Sequence, residues 1–449
     1  MLGGSLGVWI CALAIFGSDY PTNYDSVNYA LAIKRDFNIG KCQPHAYGYI
    51  YHVIMSRLWL PLIGNPFRVQ QAQNILYLVV GCAAMIPWGR PRMTYCVIVA
   101  ATLPLSLYFS SASVIHGALF MAGALLARLV LQLEQEKIHP LLLTTFFFIL
   151  VGFRQDVGLF MGLMVIVALI RHKCGLRVWI AATTSGLALT AIWYIATSWS
   201  SGWVSPWKEA NIIAFPFIRN SSPFFGATPF QWARSSIRFL LYIPATLGPG
   251  GIGAILHAIK KSGRYDALML SIAILPFMIF GILLHIGVAG YYALITGFIF
   301  AWFSLRNVSG LRFTSAGTFA ILNLVFFLTV PAPFSGDHDT FTSRPLIESL
   351  AKQASYLGAA GLSAVTANRE WEKFLESTLA PSPVFGALDS IEYDGIPYFR
   401  IWDILAEKWK NRYTTSVDSA DLLIGYIDDS TAATSFAKRF GRIGVRGRQ

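Results

Sequence analysis

Apolar runs of membrane-spanning length constrain this chain more than any other feature. They fall near residues 2–17, 69–88, 94–110, 113–133, 141–153, 157–170, 178–199, 236–257, 267–286, 289–305 and 312–330. A spanning helix needs roughly 20 apolar residues, so about eleven crossings are expected, the fifth and sixth of them short. Composition agrees, with 55% hydrophobic and only 13% charged residues, against roughly 25% charged in soluble domains. The expected fold is an all-α polytopic membrane protein.

The net charge of +12 is placed mostly between apolar runs, where it marks cytoplasmic loops and not a nucleic-acid surface. Basic loops occur at 88–92, 134–137, 171–173, 260–264 and 306–312. They share one side on two conditions: that 45–62 does not cross, and that 141–170 is a hairpin. Pro44, His52, Arg57, Pro61 and Pro66 make 45–62 a poor span but a fair interfacial helix. The hairpin requires two short helices meeting at Gly152-Phe153-Arg154-Gln155-Asp156. A single tilted helix with a buried Arg and Asp is the alternative, and it would reverse the orientation of everything after it. Positive-inside consistency favours the hairpin.

That parity places the amino terminus in the cytoplasm of a cytoplasmic (inner) membrane protein. The loops at 18–68, 110–113, 154–156, 200–235 and 286–290, and the tail, then face outside. The first 17 residues lack a basic leader and a small-residue cleavage site, and read as an uncleaved span, short enough that the true start is expected slightly upstream. Residues 1–331 form the membrane module, with interfacial helices in its first external loop. Residues 332–449 change composition sharply and form a small extracytoplasmic α/β domain, with helices near 346–356 and 401–409 and strands near 363–366 and 421–426. The basic end, 438–448, reads as frayed. Five cysteines show no paired spacing, so neither a disulfide framework nor a zinc site is implied.

The polar groups that loops alone do not explain all land on the external face. Asp25 and His45 lie in the first loop, and His116 opens a helix after Ser110-Ser111. Arg154 and Asp156 occupy the hairpin tip, and His285, Gly290 and Tyr291 lie where two spans meet. Ionisable groups at membrane depth are costly, and their gathering on one rim reads as a site. Bland alternatives stay open: Asp25 as a helix cap, Arg154 and Asp156 as a snorkelling pair, and the histidines as packing residues. Asp337-His338-Asp339 has the residue types of a metal-ligand cluster but fits a turn opening a soluble domain better, and Trp199, Trp203 and Trp207 fit an aromatic belt better than a sugar platform.

At these residues the sequence resembles the polytopic GT-C glycosyltransferases, and more narrowly the bacterial relatives of the protein O-mannosyltransferases and the aminoarabinose transferase. The carrying stretches are Tyr24-Asp25-Ser26-Val27-Asn28-Tyr29-Ala30 and Gln43-Pro44-His45-Ala46-Tyr47-Gly48-Tyr49, then Gly152-Phe153-Arg154-Gln155-Asp156. His285-Ile286-Gly287-Val288-Ala289-Gly290-Tyr291 resembles a later loop of some bacterial members. The likeness covers about residues 1–330 in layout, and no resemblance is recognised in the tail.

The resemblance implies transfer of a sugar from a polyprenyl-phosphate donor to a lipid, glycan or protein acceptor outside the membrane, with inversion and Asp25 as general base. Arg154, and second Arg57, would hold the lipid phosphate. Asp156, His45, Tyr49, His285 and Tyr291 would bind the sugar or phosphate. Asp25-Ser26 stands where many mannosyltransferases carry Asp-Glu, and the second Asp of a metal-binding Asp-x-Asp is absent, so neither metal nor soluble cofactor is expected. A transporter or flippase of lipid-linked sugars is the main alternative. The Pro244 and Gly248-Pro249-Gly250-Gly251 break is its best support, and the lack of a repeat counts against it. A non-catalytic membrane subunit is the third reading.

Overall fold

The structure is a computed structural model. It describes residues 2–17, 24–34, 37–41, 44, 48–87, 95–113, 115–211, 222–284, 289–306 and 311–329, and then 365–367, 391–393, 396–398, 422–426, 438–440 and 443–447. For residues 2, 16, 24–27, 41 and 289, and for the strands, only the backbone is described.

Every apolar run becomes a helix or a broken pair. In order they are α1 Leu2–Phe16, α2 Tyr24–Lys34, α3 Ile50–Ile63, α4 Pro66–Ala84, α5 Tyr95–Thr102, α6 Pro104–Ser111, α7 Gly117–Glu134, α8 Pro140–Phe153, α9 Asp156–Arg171 and α10 Leu176–Ser200. Then come α11 Pro229–Ile259, α12 Arg264–Ile279, α13 Ala289–Leu305 and α14 Phe313–Thr329. Among the described residues four helices are long and apolar enough to cross a membrane: α7, α10, α11, and α12 with the π-turn Phe280–Leu284 that extends it. The other apolar helices are shorter. The 94–110 run is not one helix, because Leu103 is extended (ψ 139°) before Pro104, as a residue preceding proline prefers.

The hairpin reading of 141–170 holds. Arg154 is extended (φ −156°, ψ 117°) and ends α8. A Cβ placed on Gly158 would lie 3.4 Å from Val151, and one on Gly162 would lie 3.8 Å from Phe147. In a continuous helix Phe147 and Gly162 would be about 22 Å apart. The two helices therefore run antiparallel, with Arg154, Gln155 and Asp156 at the tip.

Close helix approach forms the centre of the bundle. Gly123 of α7 meets the backbone of Leu294 in α13, and Gly297 of α13 meets the backbone of Phe120 in α7. Small residues facing each other let backbones touch and gain dispersion contacts where lipid offers no hydrophobic gain. Elsewhere α11 is kinked at Gly248 (φ 64°), and the amides of Gly250 and Gly251 beyond it donate to Asn323 Oδ1 at 2.9 and 3.2 Å. The break flagged in the sequence is thus a helix end capped by α14. On the outside, α10 exposes Leu176, Ile180, Leu187, Ile192 and Ile195, an apolar face suited to lipid.

The helix ends that carry Arg128, Arg171 and Arg306 converge on one end of the bundle. Arg128 donates to the carbonyls of Ala84 and Ile86, Ser304 donates to Met85 O, and Arg171 and Arg306 both lie over the ring of Tyr265. The hairpin tip lies at the other end. There α2 and α3 form a small second core, in which Tyr29, Ile33, Phe37, Tyr49 and Val53 pack with Ile115 and Trp193. Ile39 N donates to Ser201 Oγ at 3.0 Å and ties this unit to the end of α10. Helix α3 buries Ile50, His52, Val53 and Ser56 while exposing Ile54, Leu58, Trp59 and Leu62, as an interfacial helix does.

In the tail, β1 Val365–Ala367, β4 Leu422–Tyr426, β6 Ile443–Gly447 and β5 Lys438–Phe440 form a sheet in that order; β2 Ile391–Tyr393 and β3 Ile396–Tyr398 make a hairpin. β1 pairs parallel to β4, and β6 pairs antiparallel to both β4 and β5. The two expected strands coincide with β1 and β4. The basic end is a correction: 438–447 is not frayed but supplies β5 and β6, whose alternating apolar residues (Ile443, Val445) fit a pleated ladder. The expected helices at 346–356 and 401–409 lie outside the described residues.

Candidate active site

Arg154 is the centre of the rim. Its side chain is buried, and the extended backbone that ends α8 places it between α7, α9, α13 and the start of α3. Arg154 Nε donates to Asp156 Oδ2 at 2.8 Å, and Nη1 bonds His116 Nδ1. A guanidinium only donates, so His116 Nδ1 accepts and the imidazole is neutral with its proton on Nε2. The Arg154 fork also lies over two rings, 5.3 Å from the centroid of Tyr49 and 5.9 Å from that of Tyr291. Tyr291 OH donates to Asp156 Oδ1 at 3.4 Å. Among the described residues Arg154 Nη2 has no hydrogen-bond partner.

Burial on its own disfavours the charged guanidinium. Tyr49, Asp156, Tyr29 and Tyr291 together outweigh that pull and keep Arg154 protonated. A cation held this way, desolvated yet charged, interacts strongly with any anion that reaches it.

Local backbone chemistry sets two of these contacts. Gly48 and Tyr49 both have positive φ (89° and 40°). For tyrosine that conformation costs on the order of 1–3 kcal/mol, and it starts α3 with the Tyr49 ring turned toward Arg154. Gly290 lies against His116, where an added Cβ would come within 2.8 Å of Nδ1. Any side chain at 290 would push the imidazole off Arg154.

Beside this centre lies a buried polar shelf. Gln73 Nε2 donates to Tyr77 OH at 2.9 Å, and Tyr77 OH then donates to His52 Nδ1 at 3.1 Å. Burial first, and the charge of Arg154 second, push the His52 imidazole down to about 3, so it stays neutral. Tyr77 packs edge-on against Phe153, next to Arg154.

Of the residues singled out in the sequence, the structure brings together Arg154, Asp156, Tyr49 and Tyr291. Arg57 is engaged elsewhere: its Nε and Nη2 donate to Ala32 O at 3.1 and 2.6 Å, in the last turn of α2, where an Arg suits the unpaired carbonyls. Asp25 lies in the first turn of α2, with its side chain outside the described residues. His45, His285 and Asp337-His338-Asp339 also lie outside them. Sequence reasoning placed His116 on the rim without giving it a binding role, and it overlooked the Gln70-Gln71-Ala72-Gln73-Asn74 stretch. That polar run at the head of an apolar helix was the available signal, because four buried amides are costly to place in a span without partners.

No family model matches this chain, and no curated protein matches it. Two solved structures do, both of ArnT from Cupriavidus metallidurans. The apo form has a TM-score of 0.55 at 12% identity, over 99% of this chain and 96% of that one. The form bound to undecaprenyl phosphate has a TM-score of 0.57 at 13% identity, with the same coverage. The near-complete mutual coverage shows that this chain has a polytopic helical fold similar to that of ArnT.

Proposed function

We propose that this protein is a membrane glycosyltransferase. It takes a sugar from a polyprenyl-phosphate donor and transfers it to an acceptor on the extracytoplasmic face. The observation that carries this reading is Arg154, a buried guanidinium anchored through Nε and Nη1, with no hydrogen-bond partner to Nη2 among the described residues. It sits in a chain whose fold is shared by a protein solved with undecaprenyl phosphate.

The chemistry is a single displacement with inversion. The acceptor oxygen attacks the anomeric carbon, its proton passes to the Asp25 carboxylate, and the bond from carbon to phosphate oxygen breaks. The electron pair leaves with polyprenyl phosphate, whose growing negative charge Arg154 meets. Preorganised charge of this kind is usually the largest catalytic contribution, with a general base adding about 10²–10⁴-fold. Tyr49 and Tyr291 hold the guanidinium plane, and Asp156 fixes its direction. His45 and His285 are assigned to the sugar by resemblance.

In this reading the basic end of the bundle is cytoplasmic, as is the amino terminus. Residues 332–449 form an extracytoplasmic domain that recognises the acceptor or packs over the site. A transporter is less favoured, because the α11 break is capped within the protein by Asn323.

The test is sugar transfer from radiolabelled polyprenyl-phosphate monosaccharides in membranes, comparing wild type with Asp25→Asn at matched expression. Loss of transfer with donor binding retained supports Asp25 as base. Equal transfer in both removes Asp25 from the mechanism. No transfer by wild type with any donor overturns the enzyme reading.

A further inference from the structure

At the end of the bundle opposite Arg154 the structure has a cleft of about 840 Å³, lined by the α7–α8 turn, the end of α9 and the start of α12. The hairpin sets this separation: α9 runs 16 residues from Asp156 to Arg171, or about 24 Å. The cleft size falls within the roughly 300–1,000 Å³ of small-molecule sites.

Its lining combines opposite charges. Lys137, Arg171 and Lys173 are cationic, Glu134 and the more exposed Glu136 are anionic, and Tyr265 forms part of the wall. Arg171 lies 4.6 Å from the Tyr265 ring centroid and Arg306 5.4 Å from it, while Arg306 pairs with Asp266 at 2.9 Å. Two polar atoms of lining residues, Tyr265 OH and Glu134 Oε1, lie just behind the cleft wall, shielded from solvent with no hydrogen-bond partner, although the charges of Arg306 and Arg171 act on the Glu134 carboxylate. A solvated basic rim accounts for the lysines. It does not account for an unmatched phenol and an unmatched carboxylate oxygen set among them, since shielded polar groups are ordinarily paired.

We propose that this cleft binds a zwitterionic phosphate–primary ammonium group, the headgroup chemistry of a phosphatidylethanolamine in the adjoining leaflet. The headgroup displaces the long side chains of the lining. Its phosphate oxygens accept from Tyr265 OH and from Arg171 or Lys137, and its –NH₃⁺ donates to Glu134 Oε1. A phosphate alone leaves the carboxylate unmatched and repelled. A quaternary ammonium brings charge but no N–H to donate. The location suits a lipid, because α7, α9 and the adjoining α8 end there at the level of the basic loops, where headgroups lie. The site is distinct from the Arg154 centre and does not depend on what Arg154 does.

The experiment is native mass spectrometry of the detergent-solubilised full chain, titrated separately with phosphatidylethanolamine, phosphatidylcholine and phosphatidylglycerol. Hydrogen bonds to charged groups predict that the first is retained at least about tenfold more tightly than the other two. Glu134→Gln should abolish the preference, weakening phosphatidylethanolamine and relieving the repulsion of phosphatidylglycerol, and Tyr265→Phe should weaken both alike. Equal retention of phosphatidylethanolamine and phosphatidylcholine by wild type overturns the proposal, even if a variant fails to fold. So does a Glu134→Gln protein that keeps the preference. Glycerophosphoethanolamine is the added competitor. If it displaces the lipid at equal concentration, the headgroup chemistry stands and the source is soluble; if it does not, the ligand is the lipid.

Discussion

Two Arg–Asp pairs stand at opposite ends of the same bundle, with nearly the same bond length and different surroundings. Arg154 and Asp156 meet at 2.8 Å with both side chains almost wholly buried; Arg306 and Asp266 meet at 2.9 Å with the Arg306 side chain 36% exposed. Asp266 is saturated: it also accepts from Trp302 Nε1 at 3.0 Å and from Gly263 N at 3.3 Å, ahead of α12. That is a helix-capping carboxylate neutralised by a neighbour. Among the described residues Arg154 instead keeps Nη2 without a hydrogen-bond partner, lies over the rings of Tyr49 and Tyr291, and is fixed by His116 Nδ1, an atom that can only accept from it. The comparison teaches that pairing alone does not mark a site. What marks it is a buried charge whose partners orient it without exhausting it.

The largest expected effect falls on the first pair. Arg154→Lys keeps the charge but loses the fork, and should lower transfer by about 10²–10³-fold, the cost of removing a preorganised donor. The check is initial-rate transfer per folded molecule. A rate within a fewfold of wild type would make this pair as structural as the other. Next, Asp266→Asn should cost on the order of 1–3 kcal/mol of stability by stripping a charged acceptor from Arg306, Trp302 and Gly263. Its transfer rate per folded molecule should be unchanged, and a changed rate would couple the two ends.

A smaller effect concerns acid. The folded-state pKa of His52 lies below that of the unfolded chain, so its stabilising contribution is present above about 6.5 and is lost as pH falls toward 3, at no more than about 1.4 kcal/mol per unit. His52→Gln should flatten that part of the thermal-stability profile, and an unaltered slope would show that His52 does not carry it. Smallest of all, Arg306→Gln should cost about 1 kcal/mol, because the Arg306 side of the pair is solvated and Trp302 Nε1 and Gly263 N still donate to the buried Asp266. A loss several times larger would show that exposure understates that pair.

The scaffold was legible in the sequence because helix formation in an apolar medium is a local requirement. Each run satisfies its own backbone bonds, and Arg154 flanked by Gly152 and Asp156 marks where α8 must stop. The Gly248-Pro249 break was legible for the same reason. Half of the site was legible too: Arg154 and Asp156 are neighbours in the chain, and Tyr291 was drawn in through its loop. The role of His116 was not, nor was the diversion of Arg57 onto Ala32 O, since both depend on which helices lie side by side. The strands at 438–447 were misread because charge was given more weight than alternation.

The sequence by itself thus determined where this chain enters apolar surroundings, where its helices break, and that Arg154 and Asp156 share a hairpin tip. Those follow from residue-level solvation and backbone bonding. Only the tertiary structure decided that His116, Tyr49 and Tyr291 converge on a single guanidinium, and that Glu134 and Tyr265 share a cleft at the far end. Those contacts join helices distant in sequence, and they depend on packing: Gly123 and Gly297 let the backbones of α7 and α13 touch, and Gly290 leaves room for the His116 ring.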